Sequence, residues 1–236
     1  MSPFSAPLPF DAVSFDVDGT LYGLGRFKFE LAVRHFADLA TWIAMEKARK
    51  RIRREGAPAA DMAAMVVERV AAELRQPEDA VGARIQRMLD VDWPAALARI
   101  GPSRGVVELL DALVGAGVPV VVLSDYPGAS KLRGLGLSAY PWRAVVDATA
   151  VGALKPHPEA FRAAVRALGV EPGRVLHVGD SLELDVAGAA SIGMQTALIG
   201  RSSAPPQPVP EPTWRFRSMR ALSAAICPAL QLREPR

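Results

Sequence analysis

The chain has a single cysteine, Cys227. A disulfide framework is thereby excluded, because that thiol has no partner in the chain. Long apolar runs are missing too: the longest, such as residues 118–123, are strand-sized and far short of the roughly 18 residues that span a membrane. No basic residue precedes Arg26, so the amino terminus lacks the charged region that opens a secretory signal peptide. The expected location is cytoplasmic. Lysine is scarce. Of 28 basic residues only five are Lys (Lys28, Lys47, Lys50, Lys131 and Lys155), and there is no internal repeat. Apolar material is not scarce: 50% of the 236 residues are hydrophobic and 22% are charged. That balance excludes disorder of the whole chain and suits one large domain or a core with a smaller appendage.

The charge is unevenly placed. Residues 26–103 hold 14 basic and 11 acidic side chains, and the remainder holds 14 of each. The whole excess of +3 therefore sits in one segment. It is too small to argue for nucleic acid by itself, although it favours an anionic substrate.

Residues 12–15 form a short apolar run that stops at Asp16-Val17-Asp18-Gly19-Thr20, the pattern of a strand entering a turn. From Arg26 to about Gly101 the pattern is helical, with Phe29, Val33, Phe36, Ala40 and Ile43 at spacings of three and four. Asp61 is placed to cap a helix over 62–75, and Pro77 to open one over 77–89. No convincing strand interrupts this block. Afterwards strands and helices alternate: a helix over 105–115, a strand over 118–123, a weaker strand over 144–146, a helix over 158–168, a strand over 175–178, a short helix over 184–192 and a strand over 196–199. Residues 201–212 are proline-rich and read as a surface loop, with an edge strand over 213–216 and a terminal helix over 218–226. The fold class implied is α/β: a Rossmann-like parallel sheet core layered by helices, with an inserted all-helical domain. The core comprises residues 1–25 and 103–236, the insertion residues 26–102.

Ligands of open parallel sheets bind outside the carboxyl ends of the strands. That rule gathers Asp16 and Asp18, Ser124 and Asp125, and Gly179-Asp180-Ser181 onto one edge, with Lys155 in a nearby loop. Carboxylates packed so closely repel, and a hard divalent cation relieves them; near-octahedral magnesium fits best. A carboxylate beside such a metal can act as a nucleophile, and the residue two positions on can serve as acid and base. Lys155 and the Ser124 hydroxyl would hold the oxygens of a transferring phosphoryl group.

These segments, Asp16-Val17-Asp18-Gly19-Thr20-Leu21, Leu123-Ser124-Asp125, Lys155-Pro156 and Gly179-Asp180-Ser181-Leu182-Glu183-Leu184-Asp185, resemble in order and spacing the four motifs of the haloacid dehalogenase-like hydrolases. The helical block resembles the C1-type cap of that superfamily. The resemblance implies Asp16 as nucleophile and Mg2+ ligand, and Asp18 as acid/base and as a ligand through its carbonyl. It further implies Ser124 and Lys155 as phosphoryl-binding residues and Asp180 as metal ligand, with Thr20, Ser181 and Asp185 in support. Asp125 is also counted among the substrate-binding residues. Dehalogenases similar to this sequence lack an Asp at the Asp18 position, so the chain looks like a phosphatase or a phosphomutase. Asp125 departs from the Asn that similar phosphatases often carry.

The expected reaction is hydrolysis of a small phosphorylated metabolite through an aspartyl-phosphate, with no membrane partner, by a monomer or homodimer. A competing expectation comes from Lys47-Ala48-Arg49-Lys50-Arg51-Ile52-Arg53-Arg54, six basic residues in eight positions. Such a run reads first as a solvated helix end whose Ala48 and Ile52 pack inward. Its rival reading is a nucleic-acid-binding surface. His177, in a buried strand, reads as a hydrogen-bonded core histidine, His157 as a loop residue, Glu183 as exposed, and Cys227 as core or partner-facing.

Overall fold

The computed structural model describes residues 4, 8–34, 38–56, 60–201 and 208–232. Its centre is a six-stranded, all-parallel sheet in the order β3-β2-β1-β4-β5-β6. The strands are β1 (Ala12–Phe15), β2 (Val120–Ser124), β3 (Trp142–Asp147), β4 (Val175–Gly179), β5 (Gln195–Ile199) and β6 (Trp214–Phe216). β1, β2 and β4 are buried at every position, as near-continuous apolar runs covered by helices on both faces should be. Phe15 pairs with Val122 on one side and Val178 on the other. The central strand and its two neighbours therefore end together.

After β1 the chain runs through helices before it returns to the sheet, and the first five make up the inserted block: α1 (Leu24–Arg34), α2 (Leu39–Glu55), α3 (Met62–Leu74), α4 (Glu78–Arg87) and α5 (Trp93–Ile100). Asp61 caps α3 through its side chain, which accepts from the Ala64 N–H. A π-helical turn over Met88–Asp92 joins α4 to α5 and seats Trp93 fully inside the core. The remaining helices are α6 (Val106–Gly115), α7 (Gly128–Gly134), α8 (Ala148–Val151), α9 (Pro158–Leu168), α10 (Ala187–Ala190) and α11 (Met219–Gln231). No helix among the described residues is long and apolar enough to cross a membrane.

One apolar cluster joins a sheet face to the insertion, through Phe15, Tyr22, Phe27, Met45, Trp93 and Leu97. A second lies on the opposite face under α9, around Ala12, Val121, Phe161 and Val175. The inward face expected for the first insertion helices is not the one the protein uses. Phe29, Val33 and Ile43 are exposed, whereas Phe27 and Leu31 of α1 and Ala44, Met45, Ala48 and Ile52 of α2 are buried. The expected stripe crossed the boundary between two helices, so its spacing never defined one face. Phe36 lies outside the described residues, as do residues 202–207 of the proline-rich loop.

Candidate active site

The carboxyl ends of β1, β2 and β4 deliver Asp16, Ser124 and Asp180 to one edge. Gly19 makes the turn after Asp16 possible. It has φ +91°, and a Cβ there would collide with the Asp180 carboxylate, so only glycine fits both the backbone and the close approach. Lys155, in the loop before α9, is buried; its Nζ donates to Asp16 Oδ1 and to Asp185 Oδ1, each at 2.6 Å. Asp185 Oδ2 accepts from the Ser181 N–H at 3.0 Å. The Ser181 hydroxyl caps the π-helical turn Leu182–Val186 by accepting from the Leu184 N–H. His177 is the hydrogen-bonded core histidine expected, 3.0 Å from Ser14 Oγ.

Oxygens of Asp16, Asp180 and Asp185 lie within 4.8 Å of one another. The other Asp16 oxygen, Oδ2, is buried with no hydrogen-bond partner. Three clustered carboxylates with an orphaned oxygen suit a hard cation of the magnesium type. Electrostatics agree. Burial, with the charges of Asp185, Asp180 and Asp18 added, pushes the Asp16 carboxyl well above its ordinary range despite Lys155. Burial, with Asp185 beside it, pushes Asp180 up to about 7. Asp185 goes the other way: burial opposes its charge, but Lys155 and His177 hold it well below the usual carboxylate range. Lys155 is likewise held well above its usual value by Asp16, Asp185 and Asp125 against the pull of burial. The Thr20 hydroxyl is buried beside this cluster's turn without a partner.

Asp18 points its side chain elsewhere. Its carboxylate accepts from the Tyr22 hydroxyl and, at 2.5 Å, from Lys131 Nζ. Lys131 comes from α7 and was not singled out by the sequence. The available signals were the scarcity of lysine and the position of Lys131 within two turns of Ser124.

Asp125 is fully engaged. Oδ1 accepts from the Lys155 backbone N–H at 2.9 Å and Oδ2 from Arg53 at 2.5 Å. Arg53 and Arg49 belong to the basic run of α2, which corrects its reading as a wholly solvated helix end. Arg49 is 3% exposed. It donates to the Asp125 carbonyl and the Thr149 hydroxyl, and its guanidinium lies 3.8 Å from the centre of the Tyr126 ring. Arg53 Nε donates to the Lys155 carbonyl at 2.8 Å. Arg49 and Arg53 stand four residues apart and share a face beside the Ala48–Ile52 seam, so the expected inward packing of Ala48 and Ile52 carries two guanidiniums with it. Lys47 and Arg51 instead pair with Glu73 on the surface, and Lys50 and Arg54 are exposed. Burial raises the cost of the Asp125 charge, yet Arg53, Lys155 and Arg49 hold its carboxyl below the ordinary range. The departure from Asn at this position is therefore matched by cations from the insertion.

Residues 10–193 match the haloacid dehalogenase-like hydrolase family. A phosphoglycolate phosphatase of Rhodospirillum rubrum is 34% identical over 196 residues, 80% of this chain and 78% of that protein. Among solved structures, an L-2-haloacid dehalogenase of Xanthobacter autotrophicus superposes with a TM-score of 0.66 at 21% identity, covering 92% of this chain and 98% of that one. A phosphatase of the same superfamily from Thermococcus onnurineus gives 0.57 at 21% identity over the same shares. The structural likenesses carry the fold, and the sequence match carries the family: the chain belongs to the haloacid dehalogenase-like hydrolases.

Proposed function

We propose that this hydrolase is a Mg2+-dependent phosphatase that cleaves small phosphomonoesters through an aspartyl-phosphate on Asp16. The observation that carries the reading is Asp18. It supplies a second carboxylate two residues from the nucleophile, turned away from the cation cluster, held in place by Tyr22 and Lys131 and partly open to solvent, where it can exchange a proton with a leaving group or water. The phosphatase relative from Rhodospirillum rubrum supports the same class.

In this reading one Asp16 carboxylate oxygen forms a bond to phosphorus as the bond from phosphorus to the leaving oxygen breaks, and the other remains for the cation. Asp18 gives that oxygen its proton. Water then attacks the acyl phosphate, losing a proton to Asp18, and restores the free carboxylate with release of inorganic phosphate. Lys155 and the Ser124 hydroxyl hold phosphoryl oxygens. Asp16, Asp180 and the Asp18 carbonyl would hold the cation, with Asp185 in support, and the cation would neutralise charge on the phosphoryl group.

Residues 26–102 act as a cap over the core formed by 1–25 and 103–236, closing the site against water and macromolecules. Arg49 and Arg53 support that role, because they reach from α2 to the loops that carry Asp125 and Lys155. A cytoplasmic setting and a small phosphorylated metabolite complete the proposal, and phosphoglycolate is the first compound to try.

A panel of phosphorylated metabolites with magnesium tests the reading through release of inorganic phosphate. Isomerised sugar phosphate without phosphate release would make the protein a mutase. Halide release from 2-haloacids, with no phosphate released from any ester, would overturn the proposal.

A further inference from the structure

An ammonium taken fully out of water is costly unless its donors are met, and a position that needs only packing is better filled by Leu or Met. Lys131 goes against that economy. Its side chain is 1% exposed, while its carboxylate partner Asp18 is 24% exposed. Nζ reaches Asp18 Oδ2 at 2.5 Å and Ser124 Oγ at 3.4 Å. The rings of Tyr126 and Trp93 stand 4.8 and 5.6 Å away, a lining that tolerates a cation but offers it no acceptor oxygen. The helix does not need the charge to stay in place, since α7 is already fixed against α5 where Gly134 meets the Pro94 backbone. The two buried site lysines divide the work evenly. Lys155 holds Asp16 and Asp185, and Lys131 holds Asp18 and Ser124.

We propose that Lys131 is a second phosphoryl-binding cation of this site, an inference that rests on the phosphatase reading above. A phosphoryl oxygen that accepts from the Ser124 hydroxyl must stand about 2.7 Å from Oγ. The Lys131 ammonium lies 3.4 Å from that Oγ, so one such oxygen can take a hydrogen bond from both. Charge-assisted donors of this kind, aimed where negative charge gathers, contribute about a hundredfold or more to turnover.

The test uses the whole protein with magnesium and vanadate as the phosphoryl mimic. K131M should weaken vanadate inhibition and kcat/KM by about a hundredfold, equally for good and poor leaving groups, and K131R should recover part of both. Vanadate inhibition unchanged in a folded K131M would overturn the proposal and leave Lys131 as a mere partner of Asp18. Should K131M fail to fold, wild-type protein with 15N-labelled lysine decides the matter, because there are only five lysines to assign. The Lys131 Nζ signal must move when beryllofluoride is added with magnesium, and an unmoved signal overturns the proposal. A wild type that neither releases phosphate nor responds to vanadate would sink the phosphatase reading itself, a result distinct from equal binding by wild type and variant.

Discussion

The sheet edge and helix α2 both bring charge to the same few loops, but they do so by different means. At the edge, short side chains leave residues at or just beyond the ends of parallel strands whose register is fixed by neighbours on both sides. In α2, two long arginine stems reach across a seam to a carboxylate, two carbonyls and a hydroxyl. Short groups on fixed backbone lose little freedom when they are ordered, whereas each long stem gives up rotamer entropy of about 1.5–2 kcal/mol. In the proposed function the chemistry sits on the first kind of support and closure on the second. Substitutions in the two regions should therefore differ in kind as well as in size.

The largest effect is expected at the edge. D16N keeps the shape of the side chain but cannot form an acyl phosphate, so kcat should fall by several powers of ten with the thermal midpoint held or raised. Retention of more than about a tenth of wild-type turnover would remove the covalent step and, with it, the contrast between chemistry and closure.

Next in size is the α2 seam. R53Q leaves the buried Asp125 carboxylate, and D125N the half-buried Arg53 guanidinium, without its charged partner, which should lower stability by about 1–3 kcal/mol and raise KM more than it lowers kcat. The double variant should recover part of that loss, since the pair is removed together. Additive losses in the cycle would show that Arg53 and Asp125 do not act as a unit.

The same division explains what could be read from sequence. Strand ends were legible because a fully buried strand announces itself as an apolar run, and the first polar residue after it, Asp16 or Asp180, must emerge at the edge. The contributions of α2 and α7 were not. Arg49, Arg53 and Lys131 act through stems whose direction depends on how a helix face is rotated against its neighbour, and helical spacing alone fixes which residues share a face without saying what that face meets. Phe29 and Val33 were misplaced for a different reason, because the stripe they belonged to ran across the boundary between α1 and α2. Asp125 was visible as an oddity, but its meaning came only with the guanidinium opposite.

A smaller effect follows from Asp180. Burial raises its carboxyl from 3.8 to about 7 in the folded protein. Because the folded value is the higher one, its contribution to stability is full below the unfolded value and is lost as pH rises through about 7. With a chelator present, the thermal midpoint should climb by a few degrees as pH is lowered from roughly 8 to roughly 6. D180N should flatten that dependence, and magnesium should restore the midpoint at the upper pH, where the carboxylate is charged and able to bind it. A midpoint that falls over the same interval in chelator would mean that Asp180 is not held up by burial. The edge would then lack the strained cluster that sets it apart from α2.

The smallest effect is expected on the outer face of α2, and it separates position from charge within one helix. Lys47, Lys50, Arg51 and Arg54 carry the same sign as Arg49 and Arg53 and are interleaved with them. Yet Lys47 and Arg51 pair with Glu73 at the surface, and Lys50 and Arg54 are exposed. Exposed pairs of this kind contribute about 0–1 kcal/mol because water and salt screen them and the side chains resist being fixed. Changing all four to Gln should therefore move the thermal midpoint by only a few degrees and leave kcat unchanged. Any loss of kcat/KM toward an anionic ester should stay within a few-fold and vanish as salt is added, since it would come from the long-range field alone. The inner pair behaves differently if the comparison holds: R49Q or R53Q should lower kcat/KM at every salt concentration, because a buried or half-buried hydrogen-bonded guanidinium is less screened than an exposed one. Tight duplex DNA binding by the wild type, steeply weakened by salt and abolished by the four outward changes, would give the outer face a function of its own. The helix would then have two active faces, one for closure and one for nucleic acid.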